Sequence, residues 1–184
     1  RLDDRLFDAV VLACSAAEAA RLTRPHAPAW AQQAAALRYE PIITVYLQCP
    51  GAQLDLPMLA LRANVAAPAQ FVFDLGALGG APGVFAFVIS GAAEWVERGL
   101  DAAAQATLGQ AQAAFAAGTW PAMPTVLHAA AEKRATFRCT PGLRRPPAAI
   151  APGLWAAGDY VSGPYPATLE GAVRAGRNAA RALA

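Results

Sequence analysis

The chain has 184 residues, of which 56% are hydrophobic and only 15% charged, and its formal net charge is +2. That is enough for one ordinary domain or two small interleaved ones with a sizeable core, in a greasy soluble protein or one that meets lipid. No apolar run reaches the roughly eighteen residues of a membrane span, and no basic block or aromatic-interleaved stripe suits nucleic acid.

The N-terminus lacks the charged and apolar regions of a signal peptide, so the expected location is cytoplasmic, with an apolar composition compatible with peripheral membrane contact. Cys14, Cys49 and Cys139 are odd in number and widely spaced, without a Cys-x-x-Cys pair. They read as buried thiols and not as a zinc site or a disulfide framework.

In chain order, Phe7 to Cys14 is a β-branched apolar run of strand length. Ser15 follows as a helix N-cap with Glu18 three residues on, and predicts a helix through about Leu22. Trp30 to Leu37 reads as a short helix after a loop that carries two prolines and His26. Tyr39 to Gln48 is a strong strand, with Ile43, Val45 and Leu47 on one face and Ile42, Thr44 and Tyr46 on the other. Leu56 to Leu61 and Gln70 to Leu75 are further strand candidates. Gly76 to Gly83 looks like a hairpin connection into Val84 to Ser90, the most continuous strand of the chain, so an antiparallel or mixed sheet is expected here. Phe71, Phe73, Phe85 and Phe87 alternate as a core face or as the wall of an apolar tunnel. A helix is expected over roughly Ala102 to Ala117, stopped by Gly118. Thr125 to Phe137 carries His128, Glu132, Lys133 and Arg134, a charge cluster that a solvated face also explains. The charges of Arg144 and Arg145 are expected at the surface.

The last thirty-five residues or so carry the chemistry. Leu154 to Ala157 is an apolar strand that ends in Gly158-Asp159 and delivers a carboxylate to a sheet edge. Ser162-Gly163-Pro164-Tyr165-Pro166 is a turn-rich loop. From about Ala167 the spacing becomes helical, with Leu169, Ala172, Val173, Gly176, Ala180 and Leu183 on one repeat, and Gly171, Ala175 and Ala179 as a stripe of small residues. The unpaired N–H groups at the start of such a helix suit an electron-rich oxygen, and the carboxylate suits a polyol. A flavin has both kinds of edge.

Gly158-Asp159 followed by Pro166 to Gly176 resembles the C-terminal FAD motif of the flavin amine oxidase and carotenoid desaturase superfamily. A second block sharpens this: Glu132 to Phe137, Thr140 to Leu143 and Arg145-Pro146 resemble the squalene-associated FAD-dependent desaturases, also called hydroxysqualene dehydroxylases. The resemblance runs from Phe7 onward. It implies FAD as cofactor, with Asp159, after Gly158, on the ribityl hydroxyls. The backbone N–H of Leu169 is implied near the pyrimidine end of the isoalloxazine, with Ala167 and Thr168 shaping that approach. It also implies an apolar isoprenoid substrate, hydroxysqualene, losing its hydroxyl to give squalene. A catalytic acid is not identified; Lys133 and Tyr165 are the candidates.

The expected architecture is α+β: the C-terminal part of a two-domain, Rossmann-like FAD-binding oxidoreductase with a mixed-sheet substrate domain. Residues 1–38 are expected to be a piece of the FAD-binding domain, 39–140 a portion of the substrate domain, and 141–184 the C-terminal FAD-binding segment. Arg1 at the start, and no Gly-x-Gly-x-x-Gly after an early strand, are read as marks of a fragment, inactive alone and prone to self-association through uncovered apolar surface. A carotenoid desaturase, an amine oxidase and a noncatalytic apolar-ligand or interaction module remain alternatives.

Overall fold

A computed structural model describes residues 5–115 and 118–183. In chain order the elements are β1 (Val10–Leu12), α1 (Ala16–Thr23), α2 (Pro28–Ala35), β2 (Tyr39–Gln48), β3 (Met58–Ala60), β4 (Phe71–Asp74), β5 (Val84–Ser90), α3 (Ala93–Arg98), α4 (Leu100–Ala114), β6 (Thr125–Phe137), β7 (Ala149–Ala151), β8 (Leu154–Ala156) and α5 (Leu169–Leu183). The fold is α+β, and the chain forms two compact units: Arg1–Tyr39 with Thr136–Ala184, and Glu40–Ala135.

The Glu40–Ala135 unit is built on a five-stranded sheet of order β3-β4-β5-β2-β6. Pairing along β3-β4-β5-β2 is antiparallel, with Val45 opposite Phe87, Leu47 opposite Phe85, and Val72 opposite Phe87 on the other side. Because successive side chains alternate between faces, this register puts Ile43, Val45, Leu47, Val72, Phe85, Phe87 and Ile89 on one face, where all are buried. Ala103, Ala104 and Ala111 of α4 pack against that face, and their small side chains let the helix lie close. Two buried polar side chains tie the connections down. Gln110 donates to the carbonyl of Ala69 and accepts from its N–H, both at 2.8 Å, and the Asp74 carboxylate accepts from the N–H groups of Leu54 and Ala77, each at 3.1 Å.

Several expectations change here. The four phenylalanines do not form one wall: Phe71 and Phe73 pair with Val88 and Ala86, so they lie on the face opposite to Phe85 and Phe87. The helix expected over Ala102 to Ala117 starts two residues earlier, at Leu100, and a short helix that was not expected, α3, precedes it, with Gly99 at φ +94° between the two. Its final full turn closes by Ala114; the expected end at Ala117 lies outside the described residues. Thr125 to Phe137 is a single 13-residue strand, although its alanines and charges carry little strand propensity.

The other unit carries a three-stranded sheet of order β1-β8-β7. β1 runs parallel to β8, with Val11 opposite Trp155, and β7 is antiparallel to β8 with an irregularity between Ala149 and Ala151. Ser15 caps α1 as expected, accepting from the N–H of Glu18 at 3.4 Å. The core is small-residue packing: Ala16, Ala19 and Ala20 of α1, Ala31 and Ala34 of α2, then Trp30, Phe137, Ala156 and Tyr160. Trp30 donates its indole N–H to the Pro147 carbonyl at 2.8 Å and so closes the loop between β6 and β7 onto α2.

Candidate functional site

In a parallel strand pair, ligands gather outside the carboxyl ends, where strands give way to loops and helix starts. β1 and β8 end together: Leu12 pairs with Ala156, and the N–H of Ala157 donates to the Leu12 carbonyl at 2.9 Å. Just past this point stand Cys14 on one strand and Gly158, Asp159 and Tyr160 on the other. The Asp159 carboxyl is half-buried, and desolvation raises its pKa above the ordinary carboxylate value. The backbone N–H groups of Asp159 and Tyr160 and the charge of Arg145 pull the other way. Asp159 is therefore an acceptor held at a strand end in a site that penalises bare charge, which hydroxyl donors of a ligand relieve.

Arg145 is the residue that sequence reasoning placed wrongly. Its guanidinium does not project into solvent but gathers three loop carbonyls: Asp159 at 3.3 Å, Val161 at 2.8 Å, and Gly163. A planar five-donor fork suits this task, because the stretch from Asp159 to Gly163 has no strand partner to satisfy its carbonyls. The only available signal was that unpaired stretch itself, which needs a donor from elsewhere.

The loop then reaches α5 through two residues in the left-handed region, Tyr165 and Ala167, both at φ +57°. Strain of this kind in non-glycine residues persists only where surrounding contacts fix it. Here the Thr168 hydroxyl donates to the Tyr165 carbonyl at 2.7 Å and accepts from the N–H of Gly171 at 3.0 Å, which makes Thr168 the helix cap. Gly171 is required, since a Cβ there would collide with the Tyr165 carbonyl. The helix therefore begins at Leu169 and not at Ala167. Its buried stripe is Gly171, Ala175 and Ala179, while Leu169 is 89% and Val173 58% exposed. With the N–H of Gly171 taken by the hydroxyl and that of Ala172 by the Thr168 carbonyl, the N–H groups of Leu169 and Glu170 have no partner among the described residues. They are the open donors of the site.

Gly158, Asp159, Ala167, Thr168 and Leu169 thus belong to one strand-loop-helix segment of one unit. Tyr165 belongs to it too: its ring is half exposed and lies under the Arg174 guanidinium, 4.8 Å from the ring centroid. Lys133 does not belong to it, being an exposed residue of β6 in the other unit. Tyr160 escaped notice in the sequence, and Gly158 was its signal. The ring folds back over this glycine so closely that a Cβ would stand 2.5 Å from it.

These residues fit a flavin in kind: a desolvated acceptor for a polyol, and unpaired N–H donors at a helix start for a carbonyl or phosphate oxygen. Comparison with known proteins agrees. No curated protein matches the sequence. Among solved structures, an oxidoreductase from Methanosarcina mazei superposes with a TM-score of 0.64 at 17% identity, over 97% of this chain and 44% of its own. A protein from Exiguobacterium sp. 255-15, assigned as a protoporphyrinogen oxidase, gives 0.63 at 15% identity, over 96% of this chain and 41% of its own. The chain thus spans less than half the length of these structures, and at such identities the likeness is one of fold. The model of the flavin-containing amine oxidoreductases matches residues 3–184. The chain belongs to the flavin-containing amine oxidoreductase family.

Proposed function

We propose that this chain is the flavin-cradling C-terminal portion of an FAD-dependent oxidoreductase, and that the whole protein acts on a long apolar isoprenoid, converting hydroxysqualene to squalene. The observation that carries the flavin part is that one strand-loop-helix segment presents both the half-buried Asp159 carboxylate, just past the carboxyl end of β8, and a capped helix start whose first N–H groups are open. When bound, FAD supplies the two-electron redox chemistry. Asp159 would accept from ribityl hydroxyls and the Leu169 N–H would hold an oxygen of the pyrimidine edge, while Arg145 ties down the connecting loop through the carbonyls of Asp159, Val161 and Gly163.

The isoprenoid part rests on the blocks from Glu132 to Phe137, Thr140 to Leu143 and Arg145-Pro146. A physical feature supports it. At its β3-β4 edge the second face of the five-stranded sheet carries an apolar patch, with Met58 51% and Phe71 39% exposed and Phe73 between them, of the kind a lipid-like chain requires. The overall change replaces a C–O bond by a C–H bond and releases water, with both electrons drawn from reduced flavin. The proton that accompanies the departing hydroxyl needs a donor; Tyr165, beside the helix start, is the one candidate within the segment.

Titration of the purified full protein with FAD, followed by flavin fluorescence, tests the first part. Anaerobic turnover of hydroxysqualene with reduced flavin, scored as squalene, tests the second. A protein that stays colourless at saturating FAD ends the flavin reading. One that binds FAD but leaves hydroxysqualene untouched ends only the substrate assignment, and sends the search to carotenoid or amine substrates.

A further inference from the structure

The face of the five-stranded sheet opposite its buried core divides into two chemical halves, and the register shows where they meet. Met58 of β3 pairs with Phe73 of β4, Phe73 with Ala86 of β5, and Ala86 with Tyr46 of β2, so these four stand in one row across the sheet. The next row repeats the order with Phe71, Val88 and Thr44. Both rows pass from hydrocarbon on the β3-β4 side to a hydroxyl-bearing residue on β2. Beyond β2 lies β6, whose exposed His128 stacks on the half-buried Tyr46, with ring centroids 6.3 Å apart and planes 20° apart. Stacking occupies the faces of the two rings and leaves their polar edges. Neither the Tyr46 hydroxyl nor a ring nitrogen of His128 has a hydrogen-bond partner among the described residues. Every residue of this surface belongs to the Glu40–Ala135 unit.

We propose that the Tyr46–His128 pair is the hydroxyl-binding end of this sheet face, which takes an isoprenoid alcohol with its C–OH group at the pair and its hydrocarbon chain over Phe73, Phe71 and Met58. The proposal rests on the substrate reading above and adds to it the residues that tell the alcohol from a plain hydrocarbon. Three steps of about 4.8 Å separate β3 from β2, so the apolar stretch beside the pair is about 14 Å wide and accommodates several isoprene units. A phenol and a neutral imidazole each donate and accept hydrogen bonds. An alcohol also does both, whereas an ammonium only donates and a carboxylate only accepts. Binding breaks no internal hydrogen bond, because the pair makes none. The product of the proposed reaction lacks the hydroxyl, so the same pair favours substrate over product.

The test is equilibrium binding of radiolabelled hydroxysqualene and of squalene to the full protein with its flavin oxidised, a state in which the proposed reaction cannot run. Tyr46→Phe combined with His128→Phe keeps two rings and removes both polar edges. Wild type should prefer hydroxysqualene, and the double variant should bind it about tenfold more weakly while holding squalene as before, so that the preference disappears. Phe71→Ala, at the apolar end, should weaken both ligands alike. A double variant that keeps the wild-type preference overturns the inference and leaves the substrate reading standing. Equal weakening of both ligands in the double variant overturns it too, since the pair then supports the surface and does not read the hydroxyl. A wild type that binds both ligands equally has no hydroxyl-binding end, and Phe71→Ala without effect on either ligand puts the chain elsewhere; each overturns the inference. A wild type that binds neither overturns the substrate reading with it.

Discussion

The two units hold themselves together in opposite ways. The sheet unit buries large side chains in strict alternation, with Phe85, Phe87, Ile43, Val45 and Leu47 all at or near complete burial. The site unit packs alanines and glycines and relies on polar devices: a guanidinium across three carbonyls, a threonine cap, and two residues held at positive φ. The first arrangement is stable because apolar area is buried, and it tolerates local loss of polar contacts. The second is shaped to present groups to a ligand, and its geometry depends on a few single atoms. Substitutions in the two units should therefore differ both in size and in what they disturb.

The largest effect belongs to the sheet. Phe87→Ala should cost about 3–5 kcal/mol, measured by urea denaturation, because it leaves a cavity in the buried face of the sheet, where Phe87 of β5 lies between Val45 of β2 and Val72 of β4. Phe71→Ala, on the open face of the neighbouring strand, should cost about 1 kcal/mol or less. Equal costs would mean that the two faces are not as different as the register makes them.

Next is Gly171→Ala, where a single methyl meets the Tyr165 carbonyl and must push the loop away from the helix, at about 2–3 kcal/mol. On the same helix Gly176 has open space around its missing Cβ, so Gly176→Ala should stabilise by about 0.5–1 kcal/mol. This pair separates the effect of the loop contact from the helix propensity of glycine. If both substitutions stabilise, the carbonyl is not seated on the first turn of α5.

Arg145→Ala falls between these, at about 1–2 kcal/mol, since its hydrogen bonds are partly solvated and water replaces some of them. Its more telling signature is local. Hydrogen exchange should quicken at backbone amides from Tyr160 to Gly163 and stay unchanged on β2 and β5. Faster exchange throughout the sheet unit would show that the arginine supports the whole fold and not the loop.

The same contrast explains what was legible in the sequence. The strands Tyr39–Gln48 and Val84–Ser90 are set by β-branched alternation, and the structure has them with the same bounds. The Ser15 cap and the turn-rich loop before α5 were legible because their residue types act locally. The face of each phenylalanine was not, because it depends on the register of β4 against β5, a pairing that spacing within one strand does not encode. The stripe of Gly171, Ala175 and Ala179 on α5 was legible too, and it is the side the helix buries, because a helix that approaches a strand closely does so with its smallest side chains. Arg145 and the Asp159 loop lie about fourteen residues apart and meet only in the folded chain. Contacts of that kind decide the geometry of the site, and they leave almost no mark on composition or period.

The smallest effect is the one that bears most directly on the site. Asp159 has a folded-state pKa raised above its ordinary value, chiefly by desolvation, so ionising it at neutral pH works against folding. Asp159→Asn removes that penalty and should make the FAD-free protein slightly more stable at pH 7. The gain should shrink as the pH falls through the folded-state pKa, and vanish below the unfolded-state value of about 3.9, where both forms of the wild type carry the proton. Paired melting curves between pH 3 and 7 measure it. The same substitution should weaken FAD binding, because an amide is a poorer acceptor for ribityl hydroxyls than a carboxylate. A residue that costs stability when the site is empty and contributes affinity when it is filled is selected for the ligand. An Asp159→Asn protein that is less stable at pH 7 would instead make the carboxylate a structural anchor of the loop.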